Sequence, residues 1–109
     1  MPKTLKPVTV TFNASGATCN PDPVPVSRAL NNGVEWTAAT PGYTFTGIDI
    51  TSSNPGEFGS PSISTNQAGK SVMSVADSVA DLGDYSYTLN YTDPEGNCNN
   101  FDPTIRNQT

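Results

Sequence analysis

The segment "DPEGNCNNFD", residues 93 to 102, sets Asp93, Glu95, Asn97, Asn99 and Asp102 at short intervals in a turn-forming stretch. All five offer oxygen, the donor that Ca2+ prefers, so together they are a candidate calcium site. The spacing departs from the standard calcium-binding loop, because its sixth position holds Cys98 instead of glycine and its twelfth holds Thr104 instead of glutamate. Asx-turn bonding, in which an Asp or Asn side chain accepts a nearby backbone N–H, accounts for the same residues without a metal.

Other chemistry is thinly supplied. The chain has no histidine, the side chain that most often moves protons at neutral pH. Asp93, Glu95 and Asp102 could act as paired carboxylates, but a domain this small leaves little room for a sugar-holding cleft between them. Lys70 and Ser71 are neighbours in an extended stretch and point to opposite faces. The expectation is a protein that is not an enzyme and carries no cofactor.

Cys19 and Cys98 are too few and too far apart for a zinc motif. They lie in "TCNPDP" and "GNCNN", polar turn-like segments where a buried free thiol is out of place, so a disulfide between them is expected. Such a bridge would favour an exported, periplasmic or extracellular protein. Without it, the opening "MPKTLKPVTVTF", which lacks the apolar run of an export signal, favours the cytoplasm.

Net charge is −5, with ten acidic residues against five basic ones, so the long-range field repels phosphate backbones and nucleic acid is excluded as a partner. No apolar stretch is long enough to cross a bilayer, which excludes membrane insertion. Asn13-Ala14-Ser15, Asn90-Tyr91-Thr92 and Asn107-Gln108-Thr109 match the glycosylation pattern, as chance provides in a chain so rich in Asn, Ser and Thr.

The elements that would position these groups read as short strands between Pro, Gly and Asn clusters, within one domain of 109 residues. Val8, Val10 and Phe12 alternate with threonines in a first strand with one buried face. "PVPVS" holds Pro23 and Pro25, which lack amide hydrogens, and fits only a sheet edge or an irregular extended lead-in. Asn31-Asn32-Gly33 predicts a hairpin turn before "VEWT", whose Val34 and Trp36 share the core face. In "YTFTGIDI" the apolar phase slips at Gly47, which predicts a bulge or a bend carrying the strand from one sheet to the other. Residues 52–69 read as a long polar connection anchored by Phe58 and Ile63. Next, Val72, Val75, Val79 and Leu82 recur at helical spacing, but the β-branched residues favour a strand over 70–77, with Met73 and Val75 inward, and then a polar turn through Asp77, Asp81 and Asp84. Tyr85, Tyr87, Leu89 and Tyr91 alternate with small polar residues on the clearest strand of all, and "DPTIRN" closes the fold around Ile105. Residues 1–6 and 107–109 are expected to be flexible ends. The sum is an all-β chain, a two-sheet antiparallel Greek-key sandwich.

"NNGVEWT", "YTFTGIDI", "GDYSYTLNYTDPEGN" and "FDPTIRN" together resemble the cupredoxin-like family across residues 7–107. The resemblance implies a cupredoxin-like sandwich. It also implies where copper ligands would stand, and those positions hold Leu89, Thr92 and Asn97, none of which suits blue copper. A second resemblance lies in "DLGDYSY", which is similar to the immunoglobulin Asp-x-Gly-x-Tyr-x-Cys pattern with Tyr87 in the cysteine's place. It implies a tyrosine corner at Tyr85, and Cys19, Trp36 and Cys98 partly follow the immunoglobulin Cys, Trp, Cys order.

The function expected from these readings is a non-catalytic, copper-free cupredoxin-like domain that works as a protein-interaction or structural module. Its partners would be another protein or a second copy of itself, through the 52–69 connection and the 93–102 turn. A carbohydrate-binding module is the alternative, with Asn, Thr and exposed Tyr side chains meeting sugar hydroxyls and ring faces.

Overall fold

Alternation of apolar and hydroxyl residues builds β1 (Thr4–Asn13), in which Val8, Val10 and Phe12 are buried and Thr9, Thr11 and Asn13 are exposed. The same two-residue period buries Val34, Trp36 and Ala38 on β4 (Asn31–Ala38), Met73 and Val75 on β7 (Ser71–Ala76), and Tyr87, Leu89 and Tyr91 on β8 (Gly83–Thr92). The remaining strands are β2 (Gly16–Asn20), β3 (Val24–Ser27), β5 (Thr44–Ile50), β6 (Ser62–Thr65), β9 (Cys98–Phe101) and β10 (Thr104–Gln108). This computed structural model describes residues 3–13, 16–52, 54 and 56–109, and among them there is no helix.

One sheet runs β2-β1-β4-β7-β6, the other β3-β10-β8-β5, with β9 beside β8 on the side that β10 also takes. The chain is an all-β sandwich with its apolar side chains between the two sheets. Val8, Val10, Phe12, Val34, Trp36 and Met73 come from the first sheet, and Val24, Val26, Phe45, Tyr87, Leu89 and Ile105 from the second. Each such side chain removed from water stabilises the fold by roughly 1.5–3 kcal/mol before entropy is subtracted.

The sheets are mixed, not purely antiparallel: β1 runs parallel to β4, and β10 parallel to β3. Both pairs are joined by chain that crosses between sheets, and a crossover, unlike a hairpin, can return the chain in the same direction. That crossing also explains Asn31-Asn32-Gly33. In place of a hairpin turn these residues open β4, and the turn lies at 28–30. The Asn31 side chain accepts the Ser27 N–H at 2.9 Å and donates to the Thr4 carbonyl at 3.3 Å, tying the start of β4 to its neighbours. The β1–β4 register slips there, from Thr4 opposite Asn31 to Leu5 opposite Gly33. Glycine is required at this point because a Cβ would stand 2.4 Å from the Val75 carbonyl oxygen.

The slip in β5 is a bulge between Phe45 and Gly47, and both halves of the strand pair with β8, so no transfer between sheets occurs. Val24–Ser27 of "PVPVS" form β3 at a sheet edge, with Pro23 in the bend before it. Tyr85 donates its hydroxyl to the Asp81 carbonyl at 2.9 Å, tying the start of β8 to the connection before it. The chain ends enter strands at Thr4 and as far as Gln108, with Asn107 only 2% exposed, where flexible ends were expected. Met1 and Pro2 of that expectation lie outside the described residues.

Candidate functional site

The period that buries Ser71, Met73 and Val75 continues past the end of β7 to Asp77, and the period that buries Ile105 continues to Asn107. Two polar side chains are thereby carried into one end of the sandwich. A third arrives from the connection after β5, where Glu57 is 0% exposed. Backbone bonds fix that connection: Gly59 N–H to the Ala76 carbonyl at 2.8 Å, Ser78 N–H to the Glu57 carbonyl at 2.8 Å, and Glu57 N–H to the Asn54 carbonyl at 3.0 Å.

Asn107 lies between the two acids. Its Nδ2 donates to Glu57 Oε2 at 2.8 Å and to Asp77 Oδ1 at 3.1 Å, with the Asp81 carbonyl at 3.3 Å. Glu57 Oε1 accepts the Asp81 N–H at 3.1 Å, and Asp77 Oδ1 accepts the Val79 N–H at 2.9 Å. Asp77 Oδ2 and Asn107 Oδ1 are buried with no hydrogen-bond partner. Val79 is buried with φ at 51°, a region that β-branched residues rarely enter. Arg28 braces it from the turn after β3, through Nε to the Val79 carbonyl and Nη2 to the Ala80 carbonyl, each at 3.0 Å.

Burial pushes the Asp77 carboxyl up to about 6; the hydrogen bonds from Val79 and Asn107 oppose this, and the charge of Glu57 adds to it. The Tyr85 phenol is raised as well, first by desolvation and then by the charges of Glu57, Asp81 and Asp77. Above the cluster lies an open depression of about 460 Å³, lined among others by Lys3, Asn31, Asn32, Phe58 and Ser78. A buried acid of raised pKa beside a strained residue is a mark of a functional site.

The residues singled out from sequence are distributed differently. In the 93–102 turn, Asp93 Oδ1 accepts the Glu95 N–H at 3.0 Å and the Asn97 N–H at 2.9 Å, which holds its carboxyl below the usual range. Asn99 Nδ2 reaches the Asn97 carbonyl at 3.4 Å. Asp102 stands apart beyond β9, accepting the Thr88 hydroxyl at 2.7 Å. The turn's own amides thus occupy Asp93 Oδ1 of the calcium candidate, and Asp102 serves a different strand. Among the described residues no group of three or more His, Cys, Asp or Glu side chains could hold a metal.

The expected disulfide is absent: Cys19 and Cys98 are both free. Neither lies in a turn. Cys19 is on β2 opposite Val10 in one sheet, whereas Cys98 is on β9 opposite Thr92 in the other and is exposed. A bridge needs Cα atoms within ~7 Å and converging Cβ directions. Cys19 instead faces inward, with Sγ 3.9 Å from the Tyr87 hydroxyl, and desolvation pushes its thiol up to about 12. That hydroxyl also accepts the Trp36 Nε1–H at 2.9 Å, so Trp36 and Tyr87 join the two sheets by a buried hydrogen bond. Without the bridge, the exported location loses the support it drew from sequence.

Within 52–69, where Ser53 and Pro55 lie outside the described residues, Phe58 packs edge-on against Tyr85 with ring centroids 5.1 Å apart. Ile63 is no anchor: it is 42% exposed on β6, whose four residues all face solvent. Of the glycosylation matches, Ala14 and Ser15 lie outside the described residues and Asn107 is buried. Sequence reading missed Glu57, Asp77 and Asn107 as a group. The period-two face signalled two of them; nothing local signalled Glu57, whose partner Asn107 is fifty residues away. No protein-family model matches the chain, and no curated protein matches it.

Proposed function

We propose that this chain is a non-catalytic, copper-free cupredoxin-like domain that works by contact, as a protein-interaction module that pairs with a second copy of itself along β6. The carrying observation is the state of that edge. Ser62, Ile63, Ser64 and Thr65 are all exposed, uncharged and in unbroken register with β7, from Ser62 opposite Ser74 to Thr65 opposite Ser71. Their outer backbone groups offer a template for another strand. The edges at β2, β3 and β5 are blunted: β3 contains Pro25, β5 carries a bulge and Asp49, and β2 runs into Pro21 and Pro23. Two copies of β6 related by a twofold axis would present the same uncharged surface to each other. Copper chemistry has no place in this reading, since Leu89 is fully buried core and the chain has no histidine.

Sedimentation equilibrium tests it. Concentration-dependent dimerisation in the upper micromolar range is expected, and Ile63→Lys, which places a guarding charge on the edge, should abolish it. A wild type that stays monomeric, or a variant that dimerises equally well, would overturn the reading.

A carbohydrate-binding role has one observation in its favour. Tyr43 lines a depression of about 360 Å³ with Asn13, Asp93, Glu95 and Asn99, an aromatic ring among polar groups. One face of that ring is already stacked on Phe12, with centroids 4.5 Å apart and planes 6° apart. Calorimetric titration with neutral oligosaccharides, repeated on Tyr43→Ala, decides this reading: heat lost in the variant supports it, and no heat in the wild type ends it.

A further inference from the structure

We propose that Glu57, Asp77 and Asn107 form a proton-operated latch, which is closed while Asp77 carries a proton and opens the 56–59 and 77–81 segments when that proton leaves to solvent. The proposal does not depend on β6.

The geometry leaves one carboxylate oxygen of the cluster without a donor. Two fully buried acids face each other, and the cluster's one side-chain donor is the Asn107 Nδ2, whose two hydrogens are directed at three oxygens within 3.3 Å. Asp77 Oδ2 has no partner. As an ionised oxygen it would be an uncompensated buried charge, whereas a protonated carboxyl removes that cost. Around Asp77, the charged and titratable groups are these: Glu57 from the connection after β5, Asp81 from the connection after β7, Tyr85 from β8, Arg28 from the turn after β3, and Lys3 before β1. The Asp81 carboxylate is taken by Asn54 Nδ2 at 3.2 Å, and Tyr85 donates to the Asp81 carbonyl. Arg28 directs Nε and Nη2 to backbone carbonyls, and Lys3 lines the depression. On β10 itself, Arg106 pairs with Asp84 at 2.8 Å, on the exposed side of the strand. None of these cations touches the two acids, so a proton on Asp77 is what relieves the unpartnered Oδ2. The raised Asp77 carboxyl agrees, and its midpoint of about 6 puts the switch in a range that cellular compartments span.

Opening has a stored driving element. Asp77 Oδ1 holds the Val79 N–H, and the Val79 backbone is held at φ 51°. Charge on Asp77 beside Glu57 drives the two segments apart, and Val79 can then relax to an ordinary conformation.

Amide hydrogen exchange tests the latch. Protection of the Ser78, Val79 and Asp81 amides, corrected for intrinsic rate, is expected to fall roughly tenfold between about pH 5 and about pH 7.5 while β4 and β8 amides hold theirs. Asp77→Asn mimics the protonated acid and should keep these amides protected at both pH values. Glu57→Gln, should the first variant not fold, is expected to shrink the drop by removing the facing charge. Equal protection at both pH values in the wild type, or an undiminished drop in whichever variant folds, would overturn the proposal.

Discussion

Asp77→Asn should make the protein more stable at neutral pH while leaving its stability near pH 4 little changed. The sign follows from linkage. Asp77 titrates at about 6 when folded against an ordinary value of 3.8, so between these values the folded chain keeps a proton that the unfolded chain has released. Stability from this group is therefore complete below the ordinary value and is lost as pH rises to about 6. Two pKa units at 1.36 kcal/mol each give a loss of about 3 kcal/mol, a large share of the roughly 5–15 kcal/mol available to a domain of this size. Asp84 and Asp93 act in the opposite sense, since Arg106 and the Asn97 amide lower their values, and their stability is lost in a lower window, as pH falls through those values. The difference between wild type and variant cancels them. Urea denaturation followed by Trp36 fluorescence, at half-unit steps from about pH 4 to about pH 8, should show the difference growing in favour of the variant and levelling off above about pH 6. A difference independent of pH, or one growing in favour of the wild type, would refute the reasoning.

Two further outcomes are expected. Tyr87→Phe leaves the buried Trp36 Nε1–H without its acceptor at 2.9 Å, so it should cost about 1–3 kcal/mol in urea denaturation; a cost under a few tenths would show that the bond between the sheets contributes nothing net. In a thiol titration of the native protein, exposed Cys98 should react at once and Cys19 only slowly, with two thiols free on denaturation. Equal rates, or a missing thiol, would contradict the placement of Cys19 against Tyr87.

The parts of this fold that were legible in the sequence are those set by alternation. Val8, Val10 and Phe12, then Tyr87, Leu89 and Tyr91, had to share a face, because a strand repeats every two residues and the core takes one side. Turn chemistry was less reliable. Asn31-Asn32-Gly33 carries a strong hairpin signal, yet tertiary packing uses Gly33 for close approach to the Val75 carbonyl. The cysteines misled because "TCNPDP" and "GNCNN" look like turns from composition alone, while pairing with Val10 and Thr92 makes both positions strand. Asp77 and Asn107 could have been found by carrying the β7 and β10 periods two residues further. Glu57 could not, since an acid in a Ser, Gly and Pro connection reads as solvated until the chain brings Asn107 and the Asp81 amide to it.

The contact reading is tested most directly by backbone amide NMR shifts recorded on dilution of the wild type. Pairing through β6 should move the amides of 62–65 and their neighbours on β7, and leave those of the 93–102 turn unmoved. Shifts confined to that turn, or no shifts across the upper micromolar range, would contradict it.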